Sequence, residues 1–232
     1  MALTPVLAAA LAFSPMRFPS TAGPRRYAAA TGLLTLGDEP DFDPFAADYP
    51  PATCESQKTR VRFSTTAGEC HVTVDRALSP AGVDHFLELV DSGFFTDMLL
   101  YRVMPGFLVQ FGVAADPTVQ QRWQDVKLED EPNRATFRGG TLSYAGNGVN
   151  SRSCHLFVAL SPQGCALGKA AHEATIGHVD DVKVFERVAE NFDQSGYPDL
   201  GGLQDDLVLR GNEAAAEYPK LDRIVSAEVV PS

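Results

Sequence analysis

Tryptophan is almost missing from this chain: Trp123 is the only one in 232 residues. Cysteine is scarce as well. Cys54, Cys70, Cys154 and Cys165 form no C-x-x-C pair, and the Cys70-His71 and Cys154-His155 dipeptides lack the spacing that seats zinc ligands on a turn. The thiols read as small buried residues or free cysteines, with no metal site. Four of them permit three disulfide pairings, and spacing does not choose among these. Positive charge is also short. The 19 Lys and Arg against 30 Asp and Glu leave a net charge of −11. Such a surface repels phosphate backbones and anionic membranes, and no basic stripe offsets it, so nucleic acid is excluded as a main partner. After residue 13 no apolar run is long enough to cross a bilayer, and no stable membrane insertion is expected. Ser143, Ser151 and Ser153 lie near His155, but no G-x-S-x-G elbow accompanies them, which argues against a hydrolase. No internal repeat is present, which removes solenoids and propellers.

What is present suits a globular protein. Apolar residues make up 44% of the chain and charged residues 21%, so core material is plentiful. The length fits one all-β domain with an extension. Charge is unevenly placed. Residues 1–30 hold Arg17, Arg25 and Arg26 and no acid, which leaves −14 on the remainder. Val6 to Phe13 is an apolar run of signal-peptide length, followed by small, basic and Ser-containing sequence. The Ala-Phe-Ser-Pro string from Ala12 to Pro15 resembles the cleavage motif of bipartite plastid presequences. Residues 1–30 therefore read as a targeting presequence, with a plastid as the expected address and the secretory pathway or mitochondrion as alternatives. Residues 31–56, with Pro40, Pro44, Pro50, Pro51 and six acidic residues, read as a linker. Residues 57–232 read as one domain.

Periodicity organises that domain. Val61 and Phe63, then Cys70, Val72 and Val74, alternate with polar neighbours on either side of Thr66-Ala67-Gly68, which predicts a hairpin. Ser79-Pro80 offers a cap and a first helical residue. Val83, Phe86, Leu87 and Val90 follow on one helical face, and Gly93 stands where the helix should stop. Strand-like runs cover Leu99 to Val103, Phe107 to Gly112, Thr141 to Ala145, His155 to Leu160 and Ala174 to Val179. A second helix is expected from Val182 to Phe192 and a short one from Asn212 to Tyr218. Ile224 to Val230 forms a last strand. This order favours an antiparallel barrel over a doubly wound sheet.

Around the Pro105-Gly106 turn the alternation places Phe107 with Val109 on one face and Leu108 with Gln110 on the other. Arg102 lies just before the turn. A guanidinium beside an aromatic floor and an amide makes a site that seats an apolar ring and holds a carbonyl. Taken alone, these residues also fit a surface arginine over core side chains.

Longer strings add to that reading. LYRVMPGFLVQFG resembles the cyclophilin signature, roughly Phe-His-Arg-Val-Ile-Pro-Gly-Phe-Met-Ile-Gln-Gly-Gly. GTLSYAGNGVNSRSCHLFVAL resembles the family's Gly-x-Leu-Ser-Met-Ala-Asn-x-Gly-x-Asn-(Ser/Thr)-x-x-Ser-Gln-Phe-Phe-Ile segment. ATIGHVDDVKVFERV resembles its Phe-Gly-x-Val-x-x-Gly-x-x-Val stretch, and the tail LRGNEAAAEYPKLDRIVSAEVV looks like that of a divergent algal branch. The resemblance implies a mainly β, closed, antiparallel eight-stranded barrel, with two main helices capping its ends and a short third helix near the C-terminus. It implies peptidyl-prolyl cis-trans isomerase activity without a cofactor, acting on proline-containing peptides and unfolded protein clients, in a monomer. Arg102 takes the place of the catalytic arginine and Gln110 the glutamine that holds it. Phe107, Leu108 and Phe157 take the proline pocket. Ala145, Gly146, Asn147, His155, Leu167 and His172 fall at positions around it. A proline-peptide binding or structural module without strong catalysis on the same fold is the alternative.

The departures are specific. Gly146 replaces an Asn, His155 a Gln, Leu156 a Phe and Phe111 a Gly. The usual Trp-Leu pair falls at Cys165 and Ala166, or at Ala166 and Leu167. The usual pocket histidine is His172, or is lost to Glu173. Trp123 falls in an unrelated loop.

Overall fold

Alternation sets the first two strands of the computed structural model, which describes residues 54–161, 167–197, 200 and 202–231. The expected presequence and most of the linker lie outside the described residues. Strand β1 (Lys58–Thr65) buries Val61 and Phe63, and β2 (Gly68–Asp75) buries Cys70, Val72 and Val74. They pair antiparallel with Thr65 opposite Gly68, leaving Thr66 and Ala67 as the turn. Gly68 has φ +134°, a conformation that side chains resist.

Helix α1 (Pro80–Asp91) buries Val83, Phe86, Leu89 and Val90. Its stop is as expected: Gly93, at φ +73°, returns its N–H to the Val90 carbonyl. Its start is not. Ser79 makes no capping bond through its side chain; its hydroxyl donates to Glu131 instead. The Glu131 carboxylate takes the N–H groups of Ala81 and Gly82, each at 3.0 Å. A residue about fifty positions away thus caps the helix, where its charge also suits the dipole.

The run read as one strand from Leu99 to Val103 is two. β3 (Met98–Leu99) pairs with the C-terminal strand, while β4 (Arg102–Met104) pairs across Pro105-Gly106-Phe107 with β5 (Leu108–Phe111). Next comes α2 (Pro117–Gln124), which the hydrophobic pattern did not announce. Its signal was the Asp116-Pro117 pair: Asp116 accepts from the Thr118 N–H at 2.8 Å and Pro117 opens the helix. Trp123 therefore sits on a helix and packs edge-on against His85, at 5.5 Å, and Phe94. The remaining elements are β6 (Thr141–Tyr144), β7 (Leu156–Ala159), β8 (Thr175–Val179), α3 (Lys183–Ser195), α4 (Leu203–Arg210), α5 (Asn212–Ala215) and β9 (Arg223–Val230). Helix α4 was also unanticipated, because Leu209 is exposed and blurs the Leu203–Leu207 face.

All nine strands join one antiparallel sheet in the order β3-β9-β1-β2-β8-β6-β7-β5-β4. Its two end strands are separated in sequence only by Leu100 and Tyr101. At about 3.3–3.6 Å per residue, the sheet's edges lie within roughly 11 Å of each other, so the sheet has to curl into a barrel. The expected eight-stranded closed ring is corrected to nine strands. Among the described residues no ladder joins β3 to β4, and there are five helices. A reason is visible at the seam. Leu99 and Tyr101 pack with Leu203, Leu207, Ala214, Ala215 and Leu221, so α4 and α5 cover the edge that hydrogen bonds leave open. Inside, Phe63, Phe86, Phe95 and Phe111 meet edge-on or tilted, with α1 and α3 contributing to the same core.

Cys54, Cys70 and Cys154 are free thiols, and Cys165 lies outside the described residues. Burial pushes Cys70 up to about 12 and Cys154 to about 11, which leaves both protonated and unreactive near neutral pH. Among the described residues no cluster of His, Cys, Asp or Glu is suited to a metal, and no helix is long and apolar enough to cross a membrane.

Candidate active site

The β4-turn-β5 hairpin builds one wall of a cleft of about 930 Å³. On β4 the pleat turns Val103 inward and leaves Arg102 and Met104 exposed. On β5 it directs Val109 and Phe111 to the main core, and Leu108 and Gln110 to the cleft. Phe107 breaks the expected alternation. It lies in the turn, its N–H bonded to the Met104 carbonyl at 2.9 Å, and it packs beside Leu108 instead of Val109. β7 sets Phe157 directly opposite Gln110, and Phe137 stacks on Phe157 with centroids 6.0 Å apart. Leu108, Phe137, Phe157 and Ala159 form the buried floor, with Phe107, Ala145 and Leu167 against it.

At the polar end, Arg102 Nη1 donates to Gln110 Oε1 at 2.9 Å, and Gln110 Nε2 donates to the Tyr101 hydroxyl at 2.8 Å. Tyr101 Oη and His155 Nδ1 are 3.2 Å apart. Among the described residues Arg102 forms no ion pair, and it lines the cleft with N–H donors beyond the one given to Gln110. Burial, with a smaller push from Lys127, lowers His155 to about 4. Burial raises the Tyr101 hydroxyl. Both side chains are therefore neutral near pH 7.

Arg102, Gln110, Phe107, Leu108, Ala145, Gly146, Phe157, Leu167 and His172 all line this cleft. Two expected residues do not. Asn147 sits exposed on the following loop, its N–H bonded to Ser151 Oγ, and His155 lies behind Tyr101. Phe111 and Leu156, both unusual for the resembled segments, fill the barrel interior and shape no rim. A side chain at Gly146 would meet His172 at 2.9 Å, which explains glycine there. His172 and Glu173 both line the cleft, but Glu173 spends Oε2 on the N–H groups of Gly168, Lys169 and Ala170. Cys165 and Ala166 lie outside the described residues. Sequence reading missed Tyr101, Phe192, Leu200, Gly202 and Gln204. Tyr101 adjoins Arg102 and could have been found. The others arrive from the end of α3 (Phe192), the α3–α4 connection (Leu200, Gly202) and the start of α4 (Gln204), about a hundred residues away, with no local signal for the cleft.

Residues 60–196 match the model of the cyclophilin type peptidyl-prolyl cis-trans isomerase/CLD family. The chain is 33% identical over 117 residues to peptidyl-prolyl cis-trans isomerase-like 1 of Aspergillus niger, covering 48% of this chain and 70% of that one. It is 30% identical over 97 residues to peptidyl-prolyl cis-trans isomerase A of Dickeya dadantii, covering 42% of this chain and 51% of that one. A crystal structure of a Cryptosporidium parvum cyclophilin type peptidyl-prolyl cis-trans isomerase overlays with a TM-score of 0.49 at 18% identity, over 76% of this chain and 99% of that one.

Proposed function

The chain belongs to the cyclophilin-type peptidyl-prolyl cis-trans isomerase family, and we propose that it catalyses rotation about X-Pro bonds in the Arg102 cleft. The observation that carries the reading is the Arg102–Gln110 hydrogen bond beside a buried floor of Leu108 and Phe157. An amide resists rotation by about 18–20 kcal/mol because its C–N bond has partial double-bond character. Catalysis then needs an anchor for the proline ring, a grip on the flanking backbone, and a donor that favours the twisted amide over either planar form. The apolar floor seats the ring. Gln110, which keeps one amide proton after bonding Tyr101, holds both Arg102 and a substrate carbonyl. Arg102 donates to the rotating amide, as carbonyl conjugation weakens and the prolyl nitrogen gains a lone pair. A coupled assay of cis-trans exchange in a proline peptide tests this directly. Binding without acceleration would favour the proline-peptide module.

Phe157→Ala separates the floor from the donor. Phe157 is 3% exposed, so truncation leaves a void and costs about 3–5 kcal/mol of stability. It also raises KM, because the ring loses its seat. Phe107 is only part-buried, and Phe107→Ala affects KM more than stability. An unchanged KM in Phe157→Ala would remove this ring from the site.

Clients on this reading are proline-containing segments of unfolded chains, and the enzyme acts as a monomer. The address we propose for residues 1–30 is a plastid, on the strength of the apolar run, the Ala-Phe-Ser-Pro string and the acid-free basic segment after it. A fluorescent reporter behind residues 1–50 then leaves the cytosol of an algal host. Retention in the cytosol would defeat the targeting proposal.

A further inference from the structure

We propose that Tyr101 and His155 are positioning residues for the isomerase site, an inference that rests on the function proposed above: together they decide which way the Gln110 amide faces, and so where Arg102 points. A glutamine amide has nearly the same shape when turned over, but its two ends differ in chemistry. Arg102 Nη1 can only donate, so Gln110 must present Oε1 to it, as it does at 2.9 Å. Gln110 Nε2 then faces the Tyr101 hydroxyl at 2.8 Å and needs an acceptor there. A hydroxyl can accept or donate. What holds this one to accepting from Gln110 is His155 Nδ1, 3.2 Å away, in the tautomer whose Nδ1 lone pair takes the hydroxyl proton.

Donation then runs one way, from Arg102 to Gln110 to Tyr101 to His155. The chain of bonds is shielded: Tyr101 is 2% exposed and Gln110 7%. Burial favours neutral imidazole, and of its two tautomers the one with the ring proton on Nε2 leaves Nδ1 a lone pair for the Tyr101 hydroxyl; the role of His155 requires that tautomer. Without the His155 acceptor, the Tyr101 proton is free to go to Gln110 Oε1. The amide can turn over, its NH2 faces the guanidinium, and Arg102 is released. Both positions depart from the resembled strings, which carry His in place of Tyr101 and Gln in place of His155.

The test uses the full-length protein and a proline peptide. Tyr101→Phe and His155→Leu each lower kcat about threefold to tenfold, the effect of one buried hydrogen bond, with a smaller rise in KM as the Gln110 amide proton turns away from the substrate carbonyl. His155→Asn recovers most of the loss, since Asn Oδ1 stands as many bonds from the backbone as Nδ1. In an Arg102→Ala background, Tyr101→Phe lowers kcat no further. The ¹⁵N spectrum of His155 shows its proton on Nε2. The positioning role is overturned by an equal fold-loss in both backgrounds, by a proton on Nδ1, or by parental kcat in Tyr101→Phe while Arg102→Ala is impaired. This last result leaves the proposed function standing, whereas a parental rate in Arg102→Ala overturns both. Should Tyr101→Phe not fold, the contrast between His155→Leu and His155→Asn decides the matter.

Discussion

Arg102→Ala lowers kcat/KM at least tenfold, and by about a hundredfold if its donor matches other preorganised donors in weight. The structure separates this loss from any loss of fold. Arg102 is exposed at the mouth of the cleft, and its one described side-chain bond is to Gln110. Truncation therefore removes no core packing and leaves the melting temperature within a degree or two of the parent. The loss falls on kcat more than KM, because the donor acts mainly on the twisted amide while the apolar floor still binds the ring. Lys in place of Arg recovers little. A point ammonium cannot reach Gln110 and the substrate at once as a planar fork can. Equal rates for parent and Arg102→Ala would end the assignment of Arg102 as the catalytic group.

Glu131→Ala destabilises the fold strongly while sparing the cleft. Arg152 is fully buried, and its guanidinium meets Glu131 Oε2 through Nη1 and Nη2, each at 3.2 Å, with Ser79 Oγ and the Glu129 carbonyl as further partners. The same carboxylate caps α1 through Ala81 and Gly82. Its removal leaves the buried cation only the more distant Asp130, 3.9 Å from Nε, as a carboxylate partner, and strands two helix N–H groups as well. Breaking a buried pair from one side costs about 3–5 kcal/mol, which lowers the melting temperature by roughly 6–20 °C in a domain of this size. Neither residue lines the cleft, so kcat/KM at low temperature stays near the parental value. The double variant Glu131→Ala, Arg152→Met regains part of the loss, because no fully buried guanidinium then lacks its main carboxylate; Asp130, 3.9 Å from Arg152 Nε, limits the recovery. A melting temperature within two degrees of the parent would show that the pair is not desolvated.

Much of the architecture was legible in local pattern. Period-two alternation marked β1 and β2, Pro80 and Gly93 bracketed α1, and the Tyr101-to-Gln110 string placed the arginine and the glutamine eight residues apart on paired strands. These readings succeed because pleat and helical turn are properties of neighbouring residues, and a hairpin sets its own register.

Other features needed distant parts of the chain to meet. The cap on α1 comes from Glu131, not from the adjacent Ser79, because a buried arginine draws both to one point. Leu99 and Arg102 belong to opposite ends of a sheet because the barrel seam falls between them, and α4 exists as a packed helix because that seam must be covered. Phe107 leaves the alternation because the turn frees it from the pleat. Gly146 is glycine because His172 occupies the space beside it. Leu200 and Gln204 reach the cleft only once α3 and α4 have docked. Composition and periodicity state what each segment prefers; which segments share a wall, and which polar groups are left to satisfy one another, is decided only when the sheet curls and water is excluded.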